Sequence, residues 1–428
     1  MLTRHEVSAF ALWLSFIAVH LVLGLLNLNA QGLPLGDVTI VYARWAEQAY
    51  ASGVVVGVDT PWVYPLLALV PILASVTFGL EHIAATWLTL VMILNLVALG
   101  FLTRWGRSRA GVFAGWWWVI FLLALGPIAV GRIDAVTVAV AIVGVRLLLM
   151  KPRVAGVILA CATWIKVWPA ALLLAAFIAL RERWTIAIAA AATTATVIVF
   201  ALLAGSEWNV FTFIAEQTNR GVQIESPVAA IWLWQIVAGV SDTFIYYDST
   251  ILTFQVAGAG VNTAAAVMTP LLGLVVVGIV GLGFRASRSG ASAMSVLSMV
   301  SLALISALIT VNKVGSPQFI SWLAVPVVLG LLVDRAEGSS RFRVPATFGV
   351  LLAALTHTVY PYLYHLLLGA SPALIAILTL RNLLLLALLV WSIVGIVRLA
   401  SPRIQVGLGA PHSSHPTPAR PTSKEPAA

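Results

Sequence analysis

The sequence predicts an all-α polytopic membrane protein with about twelve transmembrane helices. Three observations predict it. Of its 428 residues, 61% are hydrophobic and 9% charged. Apolar stretches of roughly 18–25 residues recur along the chain, long enough to cross a bilayer core. The basic residues fall in short connections between those stretches. A soluble chain of this length could not bury so much apolar surface. The net charge of +9 is spread over many short loops, so no nucleic-acid partner is expected. The single cysteine, Cys161, lies in an apolar segment. It leaves no intrachain disulfide and no cysteine-rich metal site.

The first apolar run, 10–28, is too long for a secretory signal core, and no small-residue cleavage site follows it. It reads as a retained span. Basic clusters mark the cytoplasmic side: Arg4; Arg104, Arg107 and Arg109; Lys151 and Arg153; Arg181 and Arg183; Arg285 and Arg288; Arg335, Arg341 and Arg343; Arg398 and Arg403. Consecutive clusters must be separated by an even number of crossings. Three apolar runs, 10–28, 62–78 and 83–102, lie between the first two. The run 62–78 is short and carries Pro65 and Pro71. It is therefore placed as an outer-surface or re-entrant helix within a first outer loop, 29–81. The stretch after Arg153 has roughly 27 residues, too few for two full spans. Trp164-Ile165-Lys166-Val167-Trp168-Pro169 lies at its midpoint, so two short helices should meet at Lys166. A span over 184–203 leads to a long outer loop, 205–261, with surface helices. Further spans follow near 262–284, 291–311, 319–333, 344–360 and 373–397. Both termini are then cytoplasmic. Residues 1–400 form one membrane domain, and the Pro/Ser/Thr-rich segment 401–428 is a disordered tail.

This topology places most of the acidic residues outside: Asp37, Glu47, Asp59, Glu81, Asp134, Glu207, Glu216, Glu225, Asp242 and Asp248. Arg44, Arg132, Lys166, Arg220, Lys313 and Arg381 sit on the outer half against the topological bias, and binding an anionic ligand is one reason for that. Asp37, in Leu33-Pro34-Leu35-Gly36-Asp37, reads either as a general base or as the cap of the segment that follows. Asp59, before Thr60-Pro61, reads as a turn residue, and Glu47 as an exposed or paired loop charge. Lys166 is a phosphate ligand, a snorkelling cation or the partner of a carboxylate. Arg220 offers a planar, bidentate phosphate contact or is a solvated charge. Lys313, beside Ser316-Pro317-Gln318, reaches the same ligand or a lipid headgroup. Arg132 and Asp134 flank the start of a span and read as a mutual ion pair. Arg381, inside the last span, must face protein or a cavity. His357 and His365, near Tyr360, Tyr362 and Tyr364, line a cavity or are structural. Trp116, Trp117 and Trp118 read as packing or interfacial anchors. No His/Asp/Glu cluster has metal-ligand spacing, and no Gly-rich nucleotide loop is present.

Four patterns together resemble glycosyltransferase family 87 of the GT-C superfamily. They are Gly36-Asp37 followed by Tyr42; Tyr64-Pro65 opening a surface helix; Gly156 followed by Ile165-Lys166-Val167-Trp168-Pro169; and Ser316-Pro317-Gln318-Phe319-Ile320-Ser321-Trp322-Leu323. Arg220-Gly221-Val222-Gln223-Ile224-Glu225-Ser226 also looks like a segment of related sequences. Leu66 departs from the pattern, where a second proline is usual. The resemblance implies a GT-C-like fold and an inverting transfer of a sugar, mannose first, from a polyprenyl-phosphate donor to a glycolipid or glycan acceptor. The site would face outward from a bacterial plasma membrane. Asp37 would be the base; Lys166, Arg220 and Lys313 would hold the donor phosphate. Tyr42, Tyr64, Glu225, Gln318 and His357 would contact substrate. No cofactor or metal is implied, and membrane lipid is a partner. Another lipid-linked sugar such as arabinofuranose fits the same pattern. A transporter or flippase fits the composition, but no internal repeat is obvious and the charges gather on one face.

Overall fold

The computed structural model describes residues 3–218 and 220–401. Eight of the described helices are long and apolar enough to cross a membrane: Arg4–Asn29, Leu80–Thr103, Arg109–Ala129, Arg183–Leu203, Val261–Arg288, Ala293–Thr310, Pro317–Glu337 and Pro372–Ala400. Shorter apolar helices, among them Pro152–Ile165, Ala170–Ala179 and Arg343–Val359, pack between them. The chain is thus an all-α multi-pass membrane protein. The anticipated count of about twelve resolves into these eight and the shorter pieces. Residues 402–428 of the expected tail lie outside the described residues.

The centre of the bundle is set by Ala293–Thr310 and Pro317–Glu337. Each is 83% buried over its apolar window, against 6% for Val261–Arg288. Ser295, Ser298, Ser301 and Ser306 are all buried on Ala293–Thr310. Small residues let backbones approach where lipid supplies no hydrophobic drive between helices. Buried polar contacts fix the first helix: Asn95 Nδ2 meets His20 Nε2 at 3.0 Å, and Asn27 Nδ2 donates to the Pro127 carbonyl at 3.0 Å.

The run 62–78 does not span. It forms one short turn, Leu66–Ala68, and a six-residue helix, Leu69–Ala74. The two short helices expected around Lys166 are Pro152–Ile165 and Ala170–Ala179, broken at Lys166–Pro169. Pro169 cannot continue the first helix, and the residue before a proline avoids helical angles. The long segment 205–261 contains the helices Thr212–Thr218 and Ala230–Val237. It also contains an antiparallel hairpin, Phe244–Asp248 with Thr253–Ala257, a departure from the all-helical expectation. Its first strand is rich in aromatic and β-branched residues, and Asp248 Oδ1 accepts the Thr250 amide to close the turn.

The two long loops are joined. Ser206 Oγ donates to the Gly57 carbonyl at 2.8 Å, Asn209 Nδ2 to Val58 at 2.7 Å, and the Trp62 amide to Thr212 Oγ1 at 2.9 Å. They form one cap over one end of the bundle. Beneath it, Gly156 lets Pro152–Ile165 lie against Arg183–Leu203: a Cβ there would come within 2.7 Å of the Ile186 carbonyl oxygen. Gly156→Leu is expected to destabilise the protein by about 1–3 kcal/mol through overpacking, read as a lower midpoint of thermal unfolding in detergent.

Candidate active site

Asp37 begins a π-helical turn, Asp37–Tyr42, that runs into the helix Ala43–Ser52. Gly36 is the N-cap and no side chain caps it. The Asp37 carboxylate turns instead to Arg132, whose Nε lies 3.0 Å from Oδ2. The guanidinium also donates to the Pro34 carbonyl, to Gly131 at 2.9 Å and to the Tyr360 hydroxyl at 2.7 Å. Arg132 is held on all sides, while the Asp37 side chain keeps 34% of its surface exposed.

Asp134, two residues on, takes a different partner. Lys166 Nζ lies 2.6 Å from its Oδ2, and Trp322 Nε1 donates to its Oδ1 at 2.6 Å. The expected Arg132–Asp134 pair is therefore corrected: each pairs outside the turn, with Asp37 and Lys166 respectively. Neighbours at i and i+2 point different ways. Lys166 sits at the helix break, its ammonium 5.6 Å from the Tyr64 ring centre, 5.4 Å from Phe319 and 5.9 Å from Trp322. Aromatic faces stabilise a desolvated cation. Trp322 is itself stacked on Trp168 at 5.5 Å, and Trp168 Nε1 donates to Thr137 Oγ1. The motif around Lys166 and the motif around Gln318 thus meet at one carboxylate.

Arg220 is half-buried beside Tyr64, and its Nε donates to the Glu216 carbonyl at 3.3 Å. Burial pulls the Arg220 pKa down, opposed by Tyr64 and Glu216. Burial also lowers that of Lys313 and pushes the Tyr64 phenol up, with Asp37 adding to the rise. The segment carrying Lys313 is tied to the 220–226 loop. The Gln223 amide donates to the Lys313 carbonyl at 2.9 Å, and the Gly315 amide to Gln223 Oε1 at 3.2 Å. Gly315 has no room for a side chain against the Glu225–Ser226 backbone.

One cavity of about 750 Å³ is lined by Asp37, Tyr42, Tyr64, Arg132, Lys166, Arg220, Glu225, Lys313 and Gln318, with Glu216, Trp322 and Tyr360. Its apolar wall comes from Leu174, Leu272, Val276, Leu304 and Leu308. These residues stand on three neighbouring helices, Ala170–Ala179, Val261–Arg288 and Ala293–Thr310. A separate groove of about 830 Å³, lined by Val157, Ile188 and Phe200 among others, lies between Pro152–Ile165 and Arg183–Leu203, away from these charges.

Of two further expected contacts, one lies outside the cavity lining and one already has a partner. His357 is absent from the cavity lining; it packs against Tyr362 at 5.5 Å and fills the space over Gly126. Glu225 lines the cavity, but its carboxylate is committed to Arg381, Nη1 to Oε2 at 2.9 Å. Arg381 Nη2 also donates to the Glu225 backbone carbonyl at 2.6 Å. Burial pushes the Glu225 carboxyl up and Arg381 draws it back. Arg381 thus faces protein from within its span. Asp59 accepts the Val55 amide at 2.7 Å in a turn. Trp118 is fully buried, and Trp116 and Trp117 donate to Ser8 and to the Ala346 carbonyl.

The model of glycosyltransferase family 87 matches residues 62–310, more than half of the chain. The chain belongs to glycosyltransferase family 87. It is a membrane glycosyltransferase of the GT-C type. Comparisons with curated proteins and with solved structures gave no match. The family region contains Tyr64, Arg132, Asp134, Lys166, Arg220 and Glu225. Asp37, Lys313, Gln318 and Arg381 lie outside it and are brought to the same place by the fold.

The sequence does not single out Arg132, Trp322 and Tyr360 as lining this cavity, nor Asp134 as the partner of Lys166. The signal present was the pair of opposite charges at the start of a span, assigned to each other instead of to partners elsewhere. Asp134→Asn should cost about 3 kcal/mol, because it leaves a buried ammonium unpaired. The neutral double variant Asp134→Asn/Lys166→Met should recover most of that loss. Thermal unfolding of the two variants beside Lys166→Met checks it.

Proposed function

We propose that this family 87 glycosyltransferase moves a sugar, most simply mannose, from a polyprenyl-phosphate donor to a glycolipid or glycan hydroxyl. The observation that carries the reading is the composition of the cavity. The partly exposed Asp37 carboxylate shares the cavity with four cations, Arg132, Lys166, Arg220 and Lys313, and with an aliphatic wall from the membrane bundle. A phosphate suits the cations and a prenyl chain suits the wall. A nucleotide donor would have no use for an aliphatic wall of this kind.

The step balances with the chain's own groups. Asp37 accepts the proton of the acceptor hydroxyl as its oxygen forms the new bond to the anomeric carbon. The bond from that carbon to the phosphate oxygen breaks, and its electron pair leaves on polyprenyl phosphate. Attack opposite the leaving group inverts the centre. Phosphate is already a good leaving group, so Lys166, Arg220 and Lys313 need only stabilise the growing charge; no metal ion is part of the proposal. Arg132 orients Asp37 through Oδ2. Glu225 and Glu216 also line the cavity, but Glu225 is paired with Arg381 and Glu216 stands beside Arg220, where the proposal puts the phosphate. By the distribution of basic clusters, this end faces outward from a bacterial plasma membrane and both termini are cytoplasmic.

Asp37→Asn is expected to lower turnover by about 10²–10⁴-fold, the usual worth of a general base, while leaving folded protein. The assay is transfer of labelled mannose from synthetic polyprenyl-phosphate mannose to a native membrane glycolipid extract, with Glu216→Gln in parallel. Near-normal turnover by Asp37→Asn would sink its role as base. Transfer from polyprenyl-phosphate arabinofuranose alone would change the sugar and keep the class of donor.

A further inference from the structure

We propose that the corner of the cavity formed by Val41, Trp45 and Tyr64 is a saccharide subsite, so that the acceptor presented to Asp37 is a glycan of at least two sugar units. The inference rests on the transfer reading above and names the acceptor it left open.

Asp37, Val41 and Trp45 are spaced by four, and all three line the cavity. They form one stripe along the continuous helical segment from the π-turn to Ala43–Ser52. Eight residues at 1.5 Å each put Trp45 no more than about 12 Å from Asp37 along the axis, roughly the length of two pyranose rings. The wider π-winding of the first turn shortens that distance. In the proposal, a sugar whose hydroxyl meets Asp37 extends along this stripe, which brings its next unit within reach of Trp45.

The Trp45 ring is fixed from three sides. It meets Trp62 edge-on at 5.4 Å and 89°, Tyr64 edge-on at 5.9 Å and 88°, and lies nearly parallel to Tyr42 at 5.8 Å and 18°. Tyr42 and Trp62 are buried, whereas Trp45 stays half-buried. A rigid aromatic face bordering a cavity offers large contact area at little entropic cost. The apolar C–H face of a pyranose matches it, and the hydroxyls at the ring edge stay solvated.

Two observations favour a sugar over a lipid chain here. The helix Ala43–Ser52 keeps Arg44 and Glu47 exposed on its other side, so this wall borders water. The aliphatic wall of Leu174, Leu272 and Leu304 belongs to other helices. Tyr64 divides the two regions, with the Lys166 ammonium 5.6 Å from its ring and Trp45 at its edge.

The test compares two acceptors: the native membrane glycolipid fraction and the same fraction trimmed by exoglycosidase to its first sugar. Wild type should show a KM at least about tenfold lower for the untrimmed acceptor. Trp45→Leu should reduce that advantage to under about twofold, and Trp45→Phe should retain most of it. Equal use of both acceptors by wild type overturns the inference. So does a Trp45→Leu protein that loses transfer to both acceptors in equal proportion, since that marks Trp45 as packing alone. Absence of any sugar transfer by folded wild type is a different failure, that of the transfer reading itself.

Discussion

The turn Gly131–Arg132–Ile133–Asp134 is the constraint on which the site depends. It carries two opposite charges two residues apart, and each is satisfied at a distance: Arg132 by Asp37, Asp134 by Lys166. The segments of Asp37 and Lys166, far apart in sequence, are thereby fixed to one place. The turn itself is pinned from outside. Trp87 Nε1 donates to the Val130 carbonyl, and Asn27 Nδ2 to Pro127. Gly131 leaves room for Asn27 and the Pro34 carbonyl, where a Cβ would stand 2.9 Å from Asn27 Oδ1. A side chain at 131 would push the loop bearing Asp37 away from its counter-ion.

Charges at this depth are costly, and the molecule offsets the cost by saturating them. Arg132 reaches two carbonyls, a phenol and a carboxylate; Arg381 reaches Glu225 twice and Asn382. Such pairs are weak sources of net stability, but breaking one leaves an uncompensated buried ion. Their value here lies in placement. Arg381 ties the loop 222–226 to the last span, and through Gln223 that loop holds the backbone of Lys313 and Gly315. Lys313, which faces the cavity, is thus held in place through a loop fixed by Arg381, which does not.

Much of this was legible in the chain. The apolar runs mark the spans, Pro65 and Pro71 mark a run that does not cross, and Lys166 within Ile-Lys-Val-Trp-Pro marks a helix break. Asp37, Lys166, Arg220 and Lys313 stand out because they oppose the charge bias of their surroundings. The pairings were not legible. Arg132 and Asp134 look like natural partners in one dimension, but a turn sends successive side chains apart. Glu225 and Arg381 are separated by 156 positions, and nothing local announces that the acid is already taken. His357 was drawn to the cavity by its tyrosine neighbours, yet its face of the helix Arg343–Val359 meets Gly126. The hairpin at 244–257 was hidden by the helical character of everything around it.

The aliphatic wall of the cavity includes Leu272 and Val276 of Val261–Arg288, the least buried of the candidate spans. That helix has protein on one side and hydrocarbon on nearly all the rest. The bilayer is then a structural component of the pocket, pressing one of its walls into place. Acyl-chain length and lateral pressure act directly on cavity shape, and a detergent micelle replaces part of the site as well as the solvent.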